Sequence, residues 1–178
     1  MDFTIREAEP GEYARLGEIT ARAYLVDGHL DFGEDDPYLY TLRDVATRAA
    51  EAEVLAAVDP DGTVLGGVTV VLAGGPWADI AQDGEAEFRM LAVDRAARGR
   101  GVGEALVRAC VARAQNTEGC IRLVLSTQAS MRQAHRIYER LGFVRTPERD
   151  WEPLPELPLL AYVLDLPGAA DGGTPGGG

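Results

Sequence analysis

Val93-Asp94-Arg95-Ala96-Ala97-Arg98-Gly99-Arg100-Gly101-Val102-Gly103 is the stretch whose reading decides the fold. The stretch from Glu85 to Val93 leads into it and reads as a strand. From Val102 to Gln115, apolar residues recur at helical spacing through Ala105, Leu106, Ala109 and Ala112. A strand, a glycine-rich turn and an amphipathic helix therefore follow in order. Three glycines let backbone amides curl around an anion, and the helix N-terminus adds about half a positive charge. Arg98 and Arg100 are expected to reinforce it. Two phosphate-binding loops fail the test of sequence. A Walker loop needs lysine, and all 17 basic residues are arginine. A dinucleotide fingerprint starting at Gly99 needs glycine at position 104, where Glu104 stands.

Working outward, Phe3 to Arg6 alternates as a short strand that Pro10-Gly11 ends. Tyr13, Leu16, Ile19, Ala23 and Val26 mark a helix over 12–26, and a second helix is expected over 38–50. Val54–Val58 and Val64–Leu72 form a hairpin around Asp59-Pro60-Asp61-Gly62. After the helix that follows the glycine loop come a strand (122–126), a helix (131–141) stopped by Gly142, Pro-rich residues 147–158, and a last strand (159–166). The order βααβββαβαβ predicts a single α/β domain over residues 1–166, with a mixed, mostly antiparallel twisted sheet flanked by helices. The Gly/Pro-rich stretch 167–178 is expected to be a disordered tail.

A chain of 178 residues with 46% hydrophobic and 26% charged content can bury one ordinary core. Its net charge of −12 repels phosphate backbones, so nucleic acid is not an expected partner. The acidity concentrates in residues 1–61, which carry a net −10, whereas residues 94–113 carry +3. The basic stretch is thus the natural place for an anion. No apolar run approaches a membrane span of about 20 residues, and no basic-then-apolar leader opens the chain, so a cytoplasmic protein is expected. Cys110 and Cys120 are only two, with His29 and His135 far from both in sequence, which argues against a metal site or a disulfide scaffold.

Arg98-x-x-Gly101-x-Gly103, five residues beyond a strand-ending Val93, resembles the acyl-CoA loop of the GNAT superfamily of N-acetyltransferases. Ala134-x-x-x-Tyr138-x-x-x-Gly142-Phe143 is similar to that family's downstream helix, although Met131 stands where the family often has asparagine. The resemblance spans about residues 3–166. It implies acetyl-CoA as cosubstrate, with its pyrophosphate on the amides of Arg98, Gly99, Arg100, Gly101, Val102 and Gly103. Its pantetheine arm would pair with the strand backbone near Leu91 and Val93, beside a bulge. The resemblance also implies that Tyr138 is the general acid that protonates the leaving thiolate.

The amine must lose a proton before it attacks, because an ammonium has a pKa near about 10. Strand alternation puts Glu85, Glu87 and Arg89 on one face. Glu87 matches the position of a glutamate base in the histone-acetylating branch and is expected to act directly or through water. Glu85 is the substitute. The loops that border the acceptor in the family correspond here to residues 31–36 and 76–80. They offer Phe32, Glu34, Asp35 and Trp77 as candidate acceptor contacts for a cationic amine. The expected activity is direct acetyl transfer to a primary amine on a small cationic molecule. A protein lysine or N-terminal acceptor and a non-catalytic acyl-CoA sensor are the alternatives. The protein is expected to be a monomer or a homodimer, with a sheet edge near 159–166 available for pairing between subunits.

Overall fold

The computed structural model describes residues 2–26, 30, 32–72 and 75–167. The tail expected from residue 168 onward lies outside these, as do Gly28, His29 and Asp31 of the acidic loop. Strand β1 (Thr4–Glu7) is followed by helix α1 (Tyr13–Val26), then α2 (Tyr38–Arg43), α3 (Val45–Glu51), β2 (Glu53–Val58), β3 (Val64–Leu72) and β4 (Glu85–Val93). Then come α4 (Val102–Gln115), β5 (Arg122–Gln128), α5 (Arg132–Arg140), β6 (Val144–Arg145), β7 (Trp151–Leu154) and β8 (Leu157–Asp165).

The eight strands form one sheet in the order β1-β2-β3-β4-β5-β8-β6, with β7 also on β8. Every pairing is antiparallel except β4 with β5. The α/β class and the mixed, mostly antiparallel sheet hold as read from the sequence, with three local differences, the first being the short added strand β6. The helix expected over 38–50 is two helices. Asp44 takes a non-helical conformation between them and caps α3, accepting hydrogen bonds from the Thr47 amide and hydroxyl at 3.2 and 2.6 Å. The Pro-rich stretch after Thr146 contributes β7, which turns back onto β8 at Glu156. As a result β8 is not the expected sheet edge. It pairs with β5 along one side and with β6 and β7 along the other.

Alternation along the strands divides the core between the two faces of the sheet. Leu55 and Ala57 of β2 pack with α4 residues Leu106 and Cys110, while Val54, Ala56 and Val58 pack with Leu16 and Ile19 of α1. Close approach of α1 to the sheet requires glycine at position 67. A Cβ there would stand 2.5 Å from Leu16 Cδ1 and 2.9 Å from the Leu55 carbonyl oxygen.

Two features of the sheet create room for a site. First, β4 and β5 pair only from Glu85–Arg122 to Glu87–Val124 and part beyond that point. Second, β4 bulges: Gly67 opposes Ala92 and Thr69 opposes Arg89, so Met90 and Leu91 together face Val68, with Met90 at φ +57°. The extra residue reverses the alternation. Ala86 and Phe88 share the α4 face with Leu91 and Val93, while Met90 and Ala92 lie with the clusters on the α1–α3 side.

Candidate active site

A trough of about 460 Å³ opens between the end of β4 and the start of α4. Leu91, Ala92 and Val93 form one wall, the glycine turn forms the end, and Ala134, Ile137 and Arg140 of α5 form the other wall. Gly101 is the N-cap of α4 and sits at φ +79°, in the left-handed region that disfavours a side chain. No side chain caps this helix. Among the described residues, the amides of Gly99 and of Gly101 through Glu104 have no backbone acceptor; the first bond of the helix runs from the Ala105 amide to the Gly101 carbonyl. These unsatisfied donors at the positive end of a 14-residue helix form an anion cradle. The space above Gly99 and Gly101 is open, with no atom within 4 Å of where a Cβ would stand. The turn therefore fits a phosphate-bearing group.

A second cavity, of about 310 Å³, lies where β4 and β5 have separated. Tyr24 and Met131 line both spaces, so the trough and the cavity adjoin there. On the β4 side stand Glu87 and Arg89, with Asp36 and Asp79 from the neighbouring loops. On the β5 and β8 side stand Ser126, Thr127, Trp151 and leucines of the β7–β8 hairpin. Glu87 is fully buried. Its Oε1 accepts hydrogen bonds from three successive amides, Asp79, Ile80 and Ala81, at 2.9, 2.8 and 2.9 Å. Its Oε2 has no partner. Burial pushes the Glu87 carboxyl above the usual glutamate range, against the pull of those three amides. One carboxylate oxygen thus anchors the loop, and the other is buried without a partner.

A family model for the acetyltransferase (GNAT) family matches residues 15–143, which include the bulged strand, the glycine turn and α5. The chain belongs to the GNAT acetyltransferase family. Solved GNAT structures share the fold over nearly the whole chain. A Staphylococcus aureus Mu50 acetyltransferase has a TM-score of 0.70 at 15% identity, covering 92% of this chain and 99% of its own. A phosphinothricin acetyltransferase from Sinorhizobium meliloti, in complex with AcCoA, also reaches 0.70, at 18% identity over 93% and 89% of the two chains. Arabidopsis thaliana NAA60, in complex with a bisubstrate analogue, reaches 0.68 at 22% identity, over 93% and 99%. A search of curated proteins returns no match.

On this GNAT scaffold the expected cofactor residues Leu91, Val93, Arg98, Gly99, Gly101, Val102 and Gly103 all line the trough. Arg100 is a correction as regards its side chain. Its guanidinium turns away from the cradle to bind Asp59 at 2.7 Å and Asp2 at 2.9 Å, and it lies over the Phe3 ring. Two carboxylates distant in sequence claim its charge, so the Arg100 side chain ties the turn to the chain ahead of β1 and to the β2–β3 turn. Tyr138 lines neither space. Its ring is buried among Phe88, Tyr162 and Phe143, with centroids 5.7 to 5.9 Å away. Burial pushes its phenol far up, so it stays protonated.

Glu85 also differs from its expected role as a substitute base. Its buried carboxylate is taken by Arg149 at 2.7 Å and by the Gln82 amide at 2.9 Å. Burial alone would raise its pKa, but the bonds from Arg149 and Gln82 carry it below the usual range.

The acceptor candidates are corrected by a few positions. Phe32, Glu34 and Asp35 are exposed and line neither the trough nor the cavity, whereas Asp36 of the same loop lines the cavity. Trp77 lies outside the cavity wall. Its indole donates to Glu51 at 2.8 Å, and its ring lies 5.9 Å from the Arg89 guanidinium. Asp79, two residues on, reaches the cavity and holds Arg89 Nε at 3.1 Å. Sequence reasoning missed Tyr24 and Arg140 altogether, since nothing local distinguishes them from other residues of amphipathic helices. Among the described residues no cluster of three His, Cys, Asp or Glu side chains is placed to hold a metal, and no helix is long and apolar enough to cross a membrane.

Proposed function

We propose that this GNAT protein transfers the acetyl group of acetyl-CoA directly to a primary amine carried by a small cationic molecule. The observation that carries the reading is the junction of an anion cradle with a cavity whose buried carboxylate, Glu87, keeps one oxygen unpartnered. Bound acetyl-CoA supplies an acyl thioester. The amides from Gly99 to Glu104 hold its pyrophosphate, and the backbone at Leu91 and Val93, next to the bulge, aligns the pantetheine arm.

Asp36 and Asp79 attract the acceptor as an ammonium. Glu87 Oε2 takes one of its protons, directly or through water, and its raised pKa suits a base that must accept that proton. The freed nitrogen lone pair forms the new C–N bond as the C–S bond breaks and the electron pair leaves on sulfur; the acylated nitrogen then sheds its second proton to water, which leaves a neutral amide. The proton for that sulfur is assigned to Tyr138 on the family resemblance alone, since its buried ring lines neither space and burial makes the phenol a weaker acid. A covalent acetyl-cysteine route lacks a nucleophile: neither cavity is lined by a cysteine, and the buried Cys110 thiol is pushed far up in pKa by burial.

The test is acceptor-dependent release of CoA thiol from acetyl-CoA across amines, amino acids and basic peptides. Turnover of small amines with peptides inert is the expected result. Turnover confined to peptides would transfer the assignment to protein modification. Tight acetyl-CoA binding with no thiol release for any acceptor would make the protein a sensor.

A further inference from the structure

The acceptor cavity has two unlike ends, and their chemistry restricts what can occupy it. At the β4 end are three carboxylates, Asp36, Asp79 and Glu87, and one cation, Arg89. That cation is already spoken for. Its Nε binds Asp79 at 3.1 Å, Nη1 donates to the Trp77 carbonyl at 2.9 Å, and Nη2 donates to the Tyr38 hydroxyl at 3.4 Å. Three carboxylates against one arginine leave this end net negative, which favours an ammonium over an acceptor carboxylate.

The opposite end is apolar. Trp151, Pro153, Leu154, Leu157 and Leu159 of the β7–β8 hairpin form it. The hydroxyls beside it are engaged with one another's neighbours: Ser126 Oγ accepts from Trp151 Nε1 at 2.9 Å, and Thr127 Oγ1 lies 3.2 Å from His135 Nε2. A polyhydroxylated amine would place hydroxyls against the leucine and tryptophan wall, and each one left unpaired there would cost about tenfold in binding. A polyamine would have to press a second ammonium onto leucine. The volume of about 310 Å³ equals on the order of ten waters at about 30 Å³ each, room for one ring and a short chain.

We propose that the acceptor is a compact amphipathic monoamine: one ammonium at the carboxylate end and an aryl or branched-alkyl body against the β7–β8 hairpin. The assignment rests on the acetyltransferase reading above and names its substrate class. The apolar wall has a selective function in it, and Leu154, which is 57% exposed at the cavity mouth, is a specificity residue rather than a stability one.

The experiment measures kcat/KM for thiol release by the full chain with 2-phenylethylamine, 3-methylbutylamine, a linear alkylamine series, spermidine, kanamycin and a basic peptide with a free N-terminus. The apolar monoamines should exceed spermidine and kanamycin by about a hundredfold. Each added methylene in the alkyl series should raise kcat/KM about fourfold until the cavity is full. Leu154→Asp should lower kcat/KM for 2-phenylethylamine at least tenfold while leaving acetyl-CoA affinity by calorimetry unchanged. If that variant fails to fold, Leu154→Ser should show the same preference loss in smaller measure. Preference for spermidine, kanamycin or peptide over the apolar amines would overturn this substrate class while leaving acetyl transfer intact. Thiol release absent with every amine, with acetyl-CoA bound, would overturn the acetyltransferase reading itself and this proposal with it.

Discussion

Replacing Glu87 separates the two duties of its carboxylate. Glu87→Gln retains a carbonyl oxygen that can accept the amides of Asp79, Ile80 and Ala81, and puts an NH2 where the unpartnered Oε2 now stands. The loop should therefore stay in place. Glu87→Ala strands three amides, each costing about 1–3 kcal/mol when left unpaired and out of reach of water. That sum rivals the about 5–15 kcal/mol that holds a typical domain together, so the alanine variant should unfold far more easily. If Glu87 is the base, the glutamine variant should fold normally yet lose about 10²- to 10⁴-fold in kcat.

The pH dependence of stability adds a second arm. Because the folded-state pKa of Glu87 is raised, its contribution is fully present below about pH 4.3 and is lost as the pH climbs through the folded value. Glutamine carries no such loss, so the stability of the variant relative to the native protein should grow as the pH rises from about 4.3 through the raised folded-state value. Thermal unfolding across that range and the pH profile of kcat/KM are the assays. A glutamine variant with native turnover and an unchanged acid limb would refute the catalytic duty. One that melts like the alanine variant would refute the assigned geometry of the loop.

Three further perturbations address the rest of the site. Gly101→Val forces a β-branched residue to φ +79°, at about 1–3 kcal/mol; acetyl-CoA affinity should fall at least tenfold by calorimetry, and native affinity would misplace the cradle. Tyr138→Phe should lower kcat tenfold or more with acetyl-CoA binding unchanged, and equal turnover would leave Tyr138 a packing residue. Arg149→Met leaves the Glu85 carboxylate, 1% exposed, with only Arg122 at 3.5 Å among charged partners. The loss should be about 3 kcal/mol, a drop of about 6–12 °C in Tm at this size. Glu85→Gln/Arg149→Met should recover most of it, and a double variant as unstable as the single would mean that the pair is not what the arginine supports.

The strand–glycine turn–helix unit was legible because its signals are local. Apolar spacing marks β4 and α4, and glycines mark the turn that only they can form easily. The same holds for the β2–β3 hairpin and for the face shared by Glu85, Glu87 and Arg89. Where the reading erred, the deciding partner was remote. The Asp44 cap split a helix through bonds to Thr47 that periodicity does not register. The residues after Thr146 were read as Pro-rich turn because the strand partner that organises them, β8, comes later in the chain.

By itself, the sequence determined the class of fold, the order of most elements, the anion-binding turn and the residue types available for proton transfer. Each of these depends on neighbours a few positions away, where backbone preference and side-chain period act. Only the tertiary structure decided which of those residues meet. It drew Arg100 away to Asp59 and Asp2, gave Glu85 to Arg149, sank Tyr138 among aromatic rings and aimed Asp36, rather than Glu34 or Asp35, at the cavity. It also left one oxygen of Glu87 unpartnered. The physical reason is that charge pairing and burial are set by distance in space. The divergence of β4 from β5 beyond Glu87, which opens the site, is a property of the whole sheet.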